Sequence, residues 1–233
     1  MKTQAIIPAA GSGERFHSKT AKILTPLGGQ PMIVQTCAVF QGCSLVDSLI
    51  LVVSPGIRKD AERFIRDYGL SKIKKIIDGG ATRSISVFNG LKELDDDTEL
   101  VLIHDGARPL VSEALVEESI KSCYDEAAVI AAVPVKPTIK RVSPQDHYVE
   151  ATLNRSMLWE VQTPQVFRKD VILKAHRQVL DPEATDDAFL VEQLGEKVKV
   201  ITGDYRNIKI TTQEDLVMAQ SLLGHPPPTK RKP

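Results

Sequence analysis

The chain of 233 residues has few cysteines, few aromatic side chains, no net charge and no long apolar run, and each shortage excludes something. Cys37, Cys43 and Cys123 are odd in number and unclustered, which argues against a disulfide framework and a zinc site and points to a reducing compartment. Aromatic residues make up 5% of the chain, and Trp159, the only tryptophan, reads as a packing anchor and not as a base-stacking platform. Lys and Arg number 30 against 30 Asp and Glu, a formal net charge of +0, whereas a dedicated nucleic-acid or membrane-surface binder is usually strongly basic. No stretch approaches the ~18 apolar residues of a membrane span. The apolar residues after Met1-Lys2-Thr3-Gln4 break at Pro8, so no signal peptide is expected either. With 42% hydrophobic and 26% charged residues the chain can still bury a core. The expectation is a soluble, cytoplasmic protein that binds neither nucleic acid nor membrane.

What is present is a rhythm. Ala5-Ile6-Ile7, Leu49 to Val53, Leu100 to Ile103 and Val129 to Val133 are apolar throughout, and Ile73 to Ile77 is apolar but for Lys74 and Lys75, as expected of strands buried on both faces of a parallel sheet. Helices are predicted between them: Pro31 to about Gly42, Gly56 to Tyr68, Ser84 to Leu94, and Ser112 to Tyr124 with Ser112 at its start. Strand, helix, strand in succession gives an α/β fold, a doubly wound sheet with helices on both faces. The rhythm breaks at about 136–157, where two extended stretches flank Ser143-Pro144-Gln145-Asp146 and suggest a protruding β-arm. Helices near 169–179 and 186–194, strands at 198–201 and 208–210, and a helix from Thr212 to Leu223 complete one domain over residues 1–225. Residues 226–233, opening Pro226-Pro227-Pro228, are expected to be a disordered tail. Asp95-Asp96-Asp97 reads as a solvated turn.

Chemistry is suggested at several places along the chain. The first strand runs into Pro8-Ala9-Ala10-Gly11-Ser12-Gly13-Glu14-Arg15, where small residues let backbone N–H groups approach an anion. Neither a dinucleotide fingerprint nor a P-loop is written there: position 16 is Phe, the second strand ends Val53-Ser54-Pro55, and Gly-Lys-Ser/Thr is absent. A Gly-rich loop with Arg15, Lys19 and Lys22 in or beyond it can instead wrap a triphosphate, although a plain turn explains the glycines too, and Lys19 reads as an exposed lysine. The fourth strand ends in His104-Asp105-Gly106-Ala107-Arg108-Pro109, at the edge where open α/β sheets bind ligands. Asp105 can hold Mg²⁺ against phosphates or form a loop-shaping ion pair with Arg108. His104 reads as a core histidine and not as a base. Gly79-Gly80-Ala81-Thr82-Arg83-Ser84-Ile85-Ser86 is a further Gly-rich turn into a helix, where Ser84 or Ser86 can serve simply as a cap. Thr163-Pro164-Gln165 and Asn207-Ile208-Lys209-Ile210-Thr211 are polar breaks that bind a substrate or only turn the chain. No covalent nucleophile or histidine ligand spacing stands out.

Taken together, these blocks resemble one family. Ala9-Ala10-Gly11-x-Gly13-x-Arg15 with Lys22, Gly79-Gly80-x-x-Arg83-x-x-Ser86-Val87-x-Asn89-Gly90-Leu91 and His104-Asp105-Gly106-Ala107-Arg108-Pro109 look like 2-C-methyl-D-erythritol 4-phosphate cytidylyltransferases. So do Asn154-Arg155-x-x-Leu158-Trp159-x-x-Gln162-Thr163-Pro164-Gln165-x-Phe167, Thr185-Asp186-Asp187-Ala188 and Asn207-Ile208-Lys209-Ile210-Thr211-Thr212-x-Glu214-Asp215-Leu216. The resemblance implies a Rossmann-like nucleotidyltransferase sheet with a β-arm, and the joining of CTP to methylerythritol phosphate with loss of pyrophosphate, a step of non-mevalonate isoprenoid biosynthesis. It implies that Pro8, Ala9, Ala10, Gly11, Gly13, Gly80, Ser86 and Gly106 hold the nucleotide, and that Arg15 and Lys22 stabilise the transition state. Arg155 and Lys209 would position the acceptor, with Asp105, Arg108, Thr138, Thr163 and Thr185 completing the substrate sites. Mg²⁺ or another divalent cation is the implied cofactor. A homodimer joined through the arms is implied as well, with Thr138 and Arg155 serving the neighbouring subunit. Many relatives carry Pro-Lys-Gln where this chain has Ala21-Lys22-Ile23, which implies a looser loop and one polar contact fewer.

Three alternatives remain at this point. Ribitol 5-phosphate cytidylyltransferase shares fold, nucleotide and chemistry, and only the Gly106-Ala107-Arg108 and Asn154 to Trp159 blocks favour the methylerythritol enzyme. A silent nucleotide-binding module has no need of Arg15, Lys22, Asp105 and Lys209 together. An NAD-dependent oxidoreductase fails on the missing fingerprint.

Overall fold

In the computed structural model, which describes residues 1–11, 13, 16, 21–179 and 184–225, the five runs form strands of a seven-stranded sheet. The chain begins with β1 (Thr3–Ala9), a small pair β2 (Pro26–Leu27) and β3 (Gln30–Pro31), α1 (Met32–Gly42), β4 (Ser48–Val53), α2 (Arg58–Asp67) and β5 (Ile73–Asp78). It continues through α3 (Arg83–Leu91), β6 (Leu100–Ile103), α4 (Glu113–Ser122), β7 (Ala128–Pro134), β8 (Lys140–Val142) and β9 (Val149–Thr152). It closes with β10 (Trp159–Arg168), α5 (Lys169–Gln178), α6 (Asp187–Glu192), β11 (Lys199–Thr202) and α7 (Gln213–Leu223). The sheet order is β11-β7-β10-β6-β1-β4-β5, parallel except for β10, which runs antiparallel to both its neighbours.

Strand periodicity divides the core between the two faces. Ala5, Ile7, Leu49 and Leu51 pack with Phe40 of α1, Ala61 of α2 and Ile120 of α4. Ile6, Ile50 and Val52 point the other way, against Leu91 of α3, Ile172 of α5 and Val191 of α6. Helix starts are fixed by side chains that accept orphan amides: Thr82 from Ile85, Ser112 from Leu115, Asp186 from Phe189, and Thr212 in a reciprocal capping box with Asp215. From β1 the chain builds outward through β4 and β5, then returns to the opposite side of β1 as β6. The order therefore reverses between β1 and β6, and a crevice opens at their carboxyl ends, where Ala9 and Ile103 lead into the two candidate loops.

The arm is present as the antiparallel pair β8 and β9, and the five early strands lie where expected. Three readings need correction. Thr163-Pro164-Gln165 is no break but lies inside the ten-residue strand β10. Pro164 has no N–H for the ladder, and the register shifts between Val161 and Gln165 at that point. The polar side chains that looked like a turn are buried and bonded. The strand expected at 208–210 does not form: Ile210 N–H donates to Ala107 O at 2.8 Å, while buried Asn207 is pinned by donating its side-chain amide to Thr163 O at 2.7 Å. Trp159 is 42% exposed and anchors no core. Asp95 and Asp97 do lie at a turn, and both accept from Lys2 Nζ. The expected tail at 226–233 lies outside the described residues.

Candidate active site

The loop after β1 and the turn before α3 face one another across a cavity of about 770 Å³. Pro8, Ala9, Ala10, Gly11 and Gly13 line one side, and Gly80 and Ser86 line the other. Gly13 has φ +67°, a conformation that favours glycine, and its carbonyl accepts from Phe16 N–H at 2.8 Å. Opposite, the Ser86 hydroxyl accepts from Gly80 N–H at 3.0 Å and donates to Thr82 O at 2.9 Å, which shapes the turn. Lys22 lines the same cavity from a short 3₁₀ turn, Lys22–Leu24. The departure at Ala21-Lys22-Ile23 turns out to be apolar packing: Ile23 is buried in the core, and Ala21 packs against it.

A second cavity of about 390 Å³ lies on the other side of Asp105, lined among others by Arg108, Thr163, Gln165, Thr185 and Asp186. Arg83, Asp105 and Lys209 line both cavities and so form the wall between them. Asp105 Oδ1 accepts from Arg83 Nε at 2.9 Å, and Oδ2 pairs with Lys209 Nζ at 2.8 Å. Arg108 Nε stands 3.7 Å from Oδ2, buried without a hydrogen-bond partner of its own. The other Arg108 nitrogens donate to Asn207 O at 2.7 Å and Val161 O at 3.4 Å.

This arrangement sets the local charges. Burial alone would raise the Asp105 pKa, but Arg83, Lys209 and Arg108 outweigh it and hold the carboxyl well below the usual carboxylate range. Burial opposes the Arg83 charge, yet Asp187 and Asp105 beside it raise its pKa further above the ordinary arginine value. His104 behaves as a core histidine. Burial pushes its pKa down to about 4, and both ring nitrogens are engaged, Nδ1 with the Thr163 hydroxyl and Nε2 with Arg108 O, each at 3.0 Å. The Thr163 hydroxyl in turn accepts from Asp105 N–H at 3.1 Å, so β10 fixes the backbone of the wall residue.

The structure thus brings together Pro8, Ala9, Ala10, Gly11, Gly13, Lys22, Gly80, Ser86, Asp105 and Lys209 at the larger cavity, and Arg108, Thr163 and Thr185 at the smaller. Gly106 lines neither. It packs behind the wall, where an added Cβ would sit 3.0 Å from Ala9 Cβ, and its N–H donates to Pro8 O at 3.0 Å. Thr138 and Arg155 are exposed on the arm and line neither cavity; Arg155 donates to Lys136 O at 2.6 Å. Arg15 lies outside the described residues, as does Lys19. Asp105, read from the sequence as a candidate Mg²⁺ ligand, gives both oxygens to cationic side chains. It is also the only carboxylate among the described residues of the larger cavity, so the residues present do not fit a protein-held magnesium ion. Sequence reasoning assigned no role to Arg83 or Asp187. Both were visible only as motif positions, and their 2.7 Å contact joins residues 104 apart in the chain.

Comparison with known proteins agrees with the geometry. The family profile of 2-C-methyl-D-erythritol 4-phosphate cytidylyltransferase (IspD) matches residues 3–225. The enzyme of that name from Alkaliphilus oremlandii (strain OhILAs) is 46% identical over 225 residues, 95% of each chain. That of Geobacillus thermodenitrificans (strain NG80-2) is 45% identical over 226 residues, 96% of this chain and 98% of the relative. Among solved structures, 4-diphosphocytidyl-2C-methyl-D-erythritol synthase from Anaerococcus prevotii DSM 20548 superposes with a TM-score of 0.84 at 37% identity over 96% of both chains. The chain belongs to the 2-C-methyl-D-erythritol 4-phosphate cytidylyltransferase family.

Proposed function

We propose that the two cavities hold the two substrates of one nucleotidyl transfer, CTP in the larger and 2-C-methyl-D-erythritol 4-phosphate in the smaller. The observation that carries this reading is the shared wall of Arg83, Asp105 and Lys209, where the two cavities meet. An acceptor phosphate oxygen forms a bond to the α-phosphorus of CTP, the bond from that phosphorus to the bridging oxygen breaks, and pyrophosphate leaves. The attacking phosphate is ionised at neutral pH and needs no base, in keeping with a His104 that is neutral and fully engaged. What the reaction needs is alignment and positive charge. Lys22 and Lys209 line the nucleotide cavity, and we assign Lys22, with Arg15, to the developing charge on the phosphates. Lys209 and Arg108 hold the acceptor phosphate. Magnesium would come with the nucleotide substrate and would add positive charge to its phosphates.

The arm supports a homodimer. Tyr148, Val149 and Met157 are 74%, 58% and 78% exposed, an apolar surface that a second copy of the arm can cover. Arg155 and Thr138 would then reach the partner's acceptor cavity. Three buried, unpaired cysteines favour the cytoplasm, and among the described residues no helix is long and apolar enough to cross a membrane. Pyrophosphate release from CTP and Mg²⁺, with methylerythritol 4-phosphate or ribitol 5-phosphate offered in parallel, tests the acceptor. Release with the first alone is expected. Preference for the second would move the substrate, and silence with both would sink the reading.

A further inference from the structure

Behind the wall a line of paired charges runs away from both cavities into the core. Asp187, at the start of α6, is 1% exposed. A carboxylate so placed is costly unless both its oxygens are matched. Its Oδ2 accepts from Arg83 NH1 at 2.7 Å, and its Oδ1 meets His176 Nε2 at 3.0 Å. His176, on α5, is itself buried and stacks on Phe88 of α3 with ring centroids 5.9 Å apart and planes at 2°. At the near end Arg83 turns its Nε to Asp105, whose other oxygen holds Lys209. One planar guanidinium therefore bridges two carboxylates, one fixed in the core and one in the wall.

We propose that Arg83, anchored by the Asp187–His176 pair, is a positioning residue that holds Asp105 and, through it, the Lys209 ammonium at the junction of the two cavities. Neutralising Asp187 alone would require only a nearby positive charge. The fork does more, because its rigid geometry transmits the placement of α5 and α6 to a side chain in the wall. The far end has no access to substrate in either cavity: neither His176 nor Asp187 lines one. The inference rests on Lys209 acting at the reacting phosphates, as assigned above.

The test measures pyrophosphate release, with CTP varied at saturating Mg²⁺ and methylerythritol 4-phosphate, by full-length R83K, D187N, the double variant and K209A, with the folded fraction read by circular dichroism. Arg83→Lys keeps the charge and loses the bridge, so kcat per folded enzyme is expected to fall about tenfold or more, with KM for CTP changed less than about threefold. Asp187→Asn should lower kcat similarly, and the double variant should fall no further than the worse single one, as residues acting in one chain do. Normal kcat in both single variants, or additive losses in the double, would overturn the inference. If Asp187→Asn does not fold, Arg83→Lys decides alone. Lys209→Ala separates the two levels. A large loss there beside a normal R83K rejects only the positioning role, whereas normal turnover in K209A removes the assigned role of Lys209 and this inference with it.

Discussion

Replacing Gly79 by alanine drives a methyl group into the back of the loop after β1. Its Cβ would stand 2.2 Å from Ala10 Cβ and 2.9 Å from the Ser86 oxygen, where ordinary contacts begin near 3.4 Å. Relief therefore needs a parting of about 1.2 Å, the difference between 3.4 and 2.2 Å. Ala10 cannot give locally, since its Cβ is one bond from the backbone, so the loop must move away from the turn that carries Gly80 and Ser86. Overpacking of this kind costs ~1–3 kcal/mol. For a domain of this size that lowers Tm by ~2–12 °C, at ~2–4 °C per kcal/mol. The larger effect is on catalysis, because a ~1 Å misplacement of aligned reactants can cost ~10²-fold in rate.

The assay is pyrophosphate release with CTP varied at saturating acceptor, beside a thermal melt of the same preparation. kcat/KM for CTP is expected to fall ~10–10² fold while KM for the acceptor changes less than about threefold. Gly56→Ala is the control for alanine substitution as such, because its Cβ would meet nothing within 4 Å. A Gly79→Ala enzyme with the wild-type Tm and undiminished kcat/KM for CTP would refute the contact reasoning.

Lys22→Ala and Arg15→Ala should each lower kcat ~10²–10³ fold, the range for a lost electrostatic stabiliser, and near-normal turnover in either rejects its role. Arg155→Ala should raise KM for the acceptor more than for CTP, and mixing it with a Lys22→Ala chain tests whether Arg155 serves the partner's site; equal effects on both KM values contradict acceptor positioning. His104 makes stability depend on pH. Its folded pKa of about 4 lies below the ~6.5 of an unfolded histidine, so the unfolded chain binds more protons between those values, and stability is lost as pH falls through that window. The loss reaches about 2 kcal/mol by pH 5, read by urea unfolding at pH 7 and pH 5, and a flat profile over that range contradicts the burial argument.

The strands β1, β4, β6 and β7 were legible because they are buried on both faces. Ser48–Val53 is buried at every position, and such a run has few other homes. Strand β10 was not legible, because its middle carries Gln162, Thr163, Pro164 and Gln165, the residues of a turn. They are tolerated in a central strand only because distant groups satisfy them: Gln165 donates to Asp186 at 2.8 Å, and Gln162 donates to Asp204 O at 2.9 Å. Those partners come from segments 21 and 42 residues away, beyond the reach of any local pattern. The same limit divides the site. The glycines beside Ala10 and the cluster around Asp105 are contiguous in the chain and could be read, together with the family resemblance. The bridge from Asp105 through Arg83 to Asp187 joins three separate segments, and Gly106 matters for close packing against Ala9, which no spacing discloses.

The wall also shows why a site proposed to take two polyanions contains carboxylates at all. Arg83, Arg108 and Lys209 converge on one point, and without an anion between them they would repel one another and swing toward solvent. Asp105 supplies that anion and orders all three before substrate arrives. Asp187 cancels the part of the Arg83 charge that faces the core, which leaves the remaining positive charge directed toward the cavities. Preorganised charge stabilises a transition state because nothing has to reorganise when the reaction occurs. A magnesium ion bound to Asp105 would displace that order, since both carboxylate oxygens already hold cations. The placement of charge in the wall thus favours a metal that arrives with the nucleotide over one that is resident in the protein.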